Sequence, residues 1–253
     1  IKKYMKNKIM KKGLNSFALT MAVLLATSLS GFGGERNYLT AMEVMTELKK
    51  TPQQPDPTLP NVLLLGDSIS LGYTLEVREL LKGKANVFRP ITNCGPSTWN
   101  RTQLSKWING RKYDVIHFNA GLHDISYRDG DGLKDKQNGA AQVAPEQYRK
   151  NLEFIVTELK KSGNTLIWAS TTVVPENEPS RFPGDEIKYN GIAAEVMDRE
   201  RIAINNLHEL TQGFDLELFK KPGDVHYTKA ACDILGKKVA DSIVTALDKR
   251  KQK

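Results

Sequence analysis

The sequence predicts a three-layer α/β/α domain built on a five-stranded parallel sheet. Three observations predict it: five short apolar runs, helix-period segments alternating with them, and glycine- or proline-bearing turns between the two. The first run, Asn61–Leu65, holds four consecutive apolar residues, as expected of a strand buried on both faces. It closes on Gly66-Asp67-Ser68, so a serine stands at a strand-to-helix turn, where backbone N–H groups and a helix dipole converge.

The remaining elements follow in order. Leu71, Leu75, Val77, Leu80 and Leu81 space a helix after that turn, and residues 85–89 read as a second strand. Residues 100–109, with Leu104, Trp107 and Ile108 three and four apart, read as a helix; residues 114–119 form the third strand. Residues 128–144 are polar and glycine-bearing, an inserted loop. Their Asp129-Gly130-Asp131-Gly132 lacks the spacing and terminal glutamate of a calcium loop. Pro145 opens the clearest helix, with Tyr148, Leu152, Ile155, Val156 and Leu159 on one face, and Gly163 stops it. Residues 165–170 and 202–205 are the fourth and fifth strands, flanking a helix over Asp185–Arg199. A last helix from near Thr228 is expected to bury Ile234, Leu235, Val239, Ile243 and Leu247.

Ahead of this domain the composition changes. Residues 1–34 carry six lysines and no acid, then a thirteen-residue uncharged run from Phe17 to Leu29 and small residues, the order of a secretory signal peptide. Export, to the periplasm or the medium, is the expected localisation. The run is short for a membrane span, so no stable membrane insertion is expected once the signal is removed. No cysteine follows Leu29-Ser30-Gly31 to accept a lipid. Of the formal net charge of +8, residues 1–34 supply six, leaving +2 for the rest. No basic stripe interleaved with aromatics is present, which argues against a nucleic-acid partner. Residues 35–60 divide into a short helix capped by Thr40, with Met42, Val44, Met45 and Leu48 on its apolar side, and a linker holding four prolines in residues 51–60. The domain proper is expected over residues 61–250, with the helix and linker dispensable for turnover. Cys94 and Cys232 are the only cysteines, and a domain of this size needs no disulfide between them.

Four segments fall after strand ends or in the last loop: Gly66-Asp67-Ser68, Asn93-Cys94-Gly95, Gly121-Leu122-His123-Asp124 and Gly223-Asp224-Val225-His226. They supply a serine, a glycine amide, a polar donor and a histidine beside an acid. Acyl transfer by a serine needs those parts.

These segments, in this order, resemble the four blocks of the SGNH (GDSL-type) hydrolase family, and the words around His123 resemble an exported bacterial branch of it. The resemblance runs from Asn61 to about Leu247 and implies a flavodoxin-like sheet and an ester hydrolase. It implies Ser68 as nucleophile, His226 as base, and the amides of Ser68 and Gly95 with His123 as oxyanion donors. Two positions depart from the pattern. His123 stands where the family has asparagine; a neutral imidazole still donates one N–H, the alternative being a loop histidine bonded to Asp124. The family's acid falls three residues before the histidine, at Gly223 here. Asp224 is therefore the expected acid if the loop bends differently, a Ser–His dyad being the alternative. Asp67 is expected to fix the turn, His117 to be a satisfied core side chain, and His208 to have no partner. Tyr73, Trp99, Trp107 and Tyr189 are candidates for pocket lining or for plain packing.

The resemblance implies a short acyl ester, acetyl first, on a small-molecule or carbohydrate alcohol. No organic cofactor is implied, and no His/Cys/Asp cluster has metal-ligand spacing. An O-acyltransferase using the same serine, a lipase- or lysophospholipase-like hydrolase, and a non-catalytic glycan-binding module are the alternatives.

Overall fold

The computed structural model describes residues 38–162 and 165–252. The signal-peptide segment and the Gly163 stop lie outside the described residues. Helix α1 (Ala41–Lys50) starts at Thr40, whose hydroxyl accepts from the Glu43 N–H while the Glu43 carboxylate accepts from the Thr40 N–H. That reciprocal cap satisfies two donors the helix leaves orphaned. The chain continues through β1 (Asn61–Leu65), α2 (Ser68–Leu80), β2 (Asn86–Phe88), α3 (Ser97–Ile108) and β3 (Val115–Phe118). A small ladder, β4 (Tyr127–Arg128) and β5 (Ala140–Ala141), precedes α4 (Pro145–Lys160) and β6 (Thr165–Ala169). Then come α5 (Asp185–Arg199), β7 (Ala203–Asn205), α6 (Leu207–Gln212) and α7 (Lys229–Lys251).

The main sheet has five strands in the order β2-β1-β3-β6-β7, every neighbouring pair parallel. Leu63 sits in register with Phe88 on one side and Ile116 on the other. Val62–Leu65 and all of β3 are buried on both faces, which is why these strands read as unbroken apolar runs. Helix α2 packs between α1 and α7, while α4 packs between α3 and α5, giving the two outer layers. The order reverses between β1 and β3, and that switch point opens a crevice at the carboxyl edge where ligands bind in such sheets.

Several local differences from the sequence expectation have physical causes. α3 begins at Ser97, three residues early, because the Ser97 N–H donates to the carboxylate of Asp124 from the loop after β3, a cap that only folding supplies. α6 has six residues, too few for periodicity, and is capped by the Asn206 side chain accepting from the Glu209 N–H. The polar insert carries the β4–β5 ladder, and its Asp129 carboxylate accepts from the N–H groups of Asp131 and Leu133. Ile234 is 43% exposed, lying beside the Leu235–Val239–Ile243 face of α7 rather than on it.

The proline-rich stretch has no helix or strand, yet it is held in place. Asn86 of β2 accepts from the Asp56 N–H at 2.9 Å and donates to the Asp56 carbonyl at 2.8 Å. Val44 and Leu48 of α1 are buried against Leu71 of α2. Among the described residues, no helix is long and apolar enough to cross a membrane.

Candidate active site

Ser68 is the first residue of α2, delivered by β1 at the switch point. The turn is fixed by Asp67, which caps the helix by accepting from the Ile69 N–H at 2.9 Å, while Ser70 Oγ donates to the Asp67 carbonyl. Beneath it lies Arg89, fully buried at the end of β2. Its guanidinium donates to Ser70 Oγ, Thr74 Oγ1, the Gly66, Thr92 and Pro90 carbonyls, at 2.9–3.2 Å. All five N–H donors are used, as a buried guanidinium requires, and they tie the serine turn to the segment leading to Gly95. Burial pulls the Arg89 pKa downward. An arginine closing an apolar strand was the one sequence signal for this residue.

His226 comes from the loop before α7, held by a short antiparallel pairing. The Lys220 N–H donates to the His226 carbonyl and the Thr228 N–H to the Leu218 carbonyl. His226 Nε2 lies 2.9 Å from Ser68 Oγ, and Nδ1 lies 2.6 Å from Asp224 Oδ1. The same carboxylate oxygen accepts from the His226 backbone N–H at 3.0 Å. Burial resists ionisation of Asp224, but the His226 ring and backbone donors, with the charge of Lys220, hold its carboxyl down at about 2.

The loop bend that brings the acid two residues before the histidine is visible at Gly223. Its φ is +73°, and a Cβ there would lie 2.7 Å from the Asn177 carbonyl oxygen. An aspartate is excluded from that position on both counts. Asp224 occupies the acid's place because the backbone turns left-handed one residue earlier.

Gly95 also needs to be glycine, with φ +62° and the Trp99 ring 2.8 Å from where a Cβ would stand. Its N–H donates to Asn93 Oδ1 at 3.0 Å, so this candidate oxyanion donor is held by a neighbouring side chain. Burial lowers the His123 pKa; the charge of Asp67 works against that, and those of Arg181 and Arg128 add to it, so the net shift is downward and favours the neutral imidazole. It is not tied to Asp124. That carboxylate instead accepts from the backbone N–H and hydroxyl of Ser97, whose oxygen accepts in turn from Asn151 Nδ2 at 2.9 Å. Burial raises the Asp124 carboxyl to about 7 despite those bonds. The loop is held from its other side by Arg181, whose Nε donates to the Leu122 carbonyl at 2.6 Å and which pairs with buried Glu178 at 2.7 Å. No short-range pattern marked Asn151, Glu178 or Arg181 for these roles.

Other candidates go elsewhere. Tyr73 and Tyr189 are core residues, the Tyr189 hydroxyl donating to the Val143 carbonyl. Trp99 is 44% exposed beside Gly95, edge-on to Trp107. His117 is buried and half satisfied: Asn205 Nδ2 donates to its Nε2 at 3.1 Å, Nδ1 has no partner, and burial lowers its pKa to about 3. His208 Nε2 is buried without a hydrogen-bond partner, the Glu186 carboxylate of α5 standing 3.6 Å away. Cys94 and Cys232 are both free, and burial lifts the Cys232 thiol to about 12. Among the described residues, no group of three or more His, Cys, Asp or Glu side chains is placed to hold a metal ion.

Comparison with protein-family models and with curated proteins finds no match. Solved structures do match. An acetyl xylan esterase superposes with a TM-score of 0.60 at 15% identity, over 72% of this chain and 99% of that one. A lipase/acylhydrolase from Enterococcus faecalis gives 0.57 at 18% identity, over 73% and 95%. A GDSL-like lipase from Bacteroides thetaiotaomicron gives 0.58 at 15%, over 80% and 98%. The chain has the SGNH-hydrolase fold. Ser68 follows β1 and His123 lies in the loop after β3, and the final loop carries His226 to Ser68.

Proposed function

We propose that the protein is an exported carboxylic ester hydrolase of the GDSL/SGNH type, acting on short acyl esters, acetyl first, of carbohydrate or other small alcohols. The observation that carries this reading is the hydrogen-bonded chain from Ser68 Oγ through His226 to Asp224, 2.9 and 2.6 Å in its two links. The esterases among the structural neighbours, acetyl xylan esterases included, favour the acetyl and carbohydrate choice.

In this mechanism Ser68 Oγ attacks the ester carbonyl as His226 Nε2 takes its proton. Asp224 keeps Nδ1 protonated and stabilises the imidazolium that forms. The tetrahedral oxyanion is held by the Ser68 and Gly95 amides and by one N–H of neutral His123. The Gly95 N–H exchanges Asn93 for the oxyanion, since a hydrogen bond to a charged acceptor is the stronger of the two. His226 returns its proton to the alcohol as the C–O bond breaks. Water, deprotonated by the same ring, then attacks the acyl-enzyme carbonyl; the acid leaves and Ser68 regains its proton.

The test is hydrolysis of p-nitrophenyl acetate by the purified protein beside Ser68→Ala. Acetate release by the former alone is the expected result. Equal rates from both would refute a serine nucleophile. Silence from the wild type, with acyl transfer appearing only when a sugar acceptor is added, would make the protein an acyltransferase instead.

A further inference from the structure

Beside Ser68 and His226 lies a cavity of ≈ 240 Å³ that one face of the N-terminal segment encloses: Leu39, Thr40, Ala41 and Val44 all line it. We infer that this segment, outside the expected domain, is one wall of the subsite for the alcohol half of the ester, and that the subsite has room for a ring. This rests on the ester-hydrolase reading above and adds to it where the leaving group sits and what bounds it.

The assignment to the alcohol follows from the geometry of the tetrahedral adduct. Its carbon carries Ser68 Oγ, the oxyanion, the acyl substituent and the departing oxygen. The oxyanion faces Gly95 and His123. The departing oxygen must face His226 Nε2, which protonates it. The cavity wall includes Ser68 and His226 and neither Gly95 nor His123. It therefore opens on the side of the site where the alcohol leaves.

The wall is anchored rather than draped. Val44 is buried against Leu71 of α2, and the Thr40–Glu43 cap fixes the first turn of α1. Just upstream, Lys220 Nζ sits 4.0 Å from the centre of the Tyr38 ring, joining this segment to the loop that carries Asp224 and His226. The opposite wall comes from α2 and the start of α7, at Ile69, Gly72 and Cys232. The lining is more apolar than polar, with Thr40, Lys220 and His226 among its polar side chains, suited to the face of a ring that carries polar substituents. A cavity of about 150 Å³ accommodates benzene, so this one has room for a six-membered ring with substituents.

The experiment uses the full chain and two acetates whose alcohols have similar acidity, cyclohexylmethyl acetate and ethyl acetate. The readout is the ratio of their kcat/KM values. Ala41→Phe fills the cavity and is expected to lower the ratio at least ~10-fold, through KM of the ring ester, the scale at which apolar pockets discriminate. Leu39→Trp narrows the mouth from a residue that is 52% exposed and outside the helix, and is expected to act in the same direction even if the first variant folds poorly. Met42→Phe, 70% exposed on the far side of α1, is expected to leave the ratio at its wild-type value. Ratios within twofold of wild type for both Ala41→Phe and Leu39→Trp would overturn the inference, as would an equal loss on both esters. A folded wild type that hydrolyses neither ester would overturn the ester-hydrolase reading itself, and this inference with it.

Discussion

Replacing Asp224 by alanine removes two hydrogen bonds at once, one from the His226 ring at 2.6 Å and one from its backbone N–H at 3.0 Å. The ring bond is charge-assisted once His226 takes the serine proton, and such a bond contributes about 1.5–3 kcal/mol. Loss of the imposed tautomer adds to that. The His226 side chain is 43% exposed, so water can take over part of the role and the loss should be smaller than for a fully buried triad. Together these put the expected fall in kcat at ~100–1,000-fold, below the ~10,000-fold of the serine-protease template. KM should change little, because Asp224 touches the base and not the substrate. The assay is initial-rate hydrolysis of p-nitrophenyl acetate from pH 5 to 9. The carboxyl is held at about 2, so Asp224 stays ionised across that whole range and contributes no limb to the rate profile. Moving the acid one residue earlier, by combining Asp224→Ala with Gly223→Asp, should not restore activity, given the left-handed φ and the Asn177 carbonyl there. A fall of less than fivefold in Asp224→Ala would refute the argument and leave a Ser–His dyad.

His123→Ala should lower kcat by ~100–1,000-fold, the usual loss of one oxyanion donor, while His123→Asn, which keeps a donor, should recover most of it; full activity in the alanine variant would remove His123 from the oxyanion site. Asp124 bears on stability instead. Its carboxyl titrates near 7 when folded against an ordinary value near 4, so as pH rises from about 4 to 7 the unfolded chain gives up a proton that the folded chain keeps. Folding is therefore progressively disfavoured across that window, at up to about 1.4 kcal/mol per pH unit. Thermal melts at intervals from pH 4.5 to 7.5 should show the wild type losing Tm relative to Asp124→Asn, and parallel curves would show that Asp124 is ionised throughout.

Much of the site was legible as positions in the chain. Ser68, Gly95 and His123 stand after successive strands, and in a parallel sheet all such turns gather at one edge. His226 precedes the final helix, whose Thr228 cap was equally readable. These are features of local composition and of period, and period survives without any knowledge of the partner elements.

What the amino-acid order determined by itself was the alternation of strand and helix, and with it the sheet, because Val62–Leu65 and Val115–Phe118 are apolar enough to be buried on both faces whatever packs on them. The tertiary structure decided everything that depends on a distant group. The fit of Asp224 to His226 rests on a backbone carbonyl 46 residues away from Gly223, at Asn177. The start of α3 rests on Asp124, and the serine turn on Arg89. α1 reads as an ordinary amphipathic helix followed by a proline linker, and its apolar face shows only that it packs on something. That it packs beside Ser68 and His226, closing the cavity they share, follows from the hydrogen bonds of Asp56 to Asn86 and the burial of Val44 and Leu48 against Leu71. Contacts of that range leave no periodic trace in the chain, since each is specified only when both partners have already been brought together.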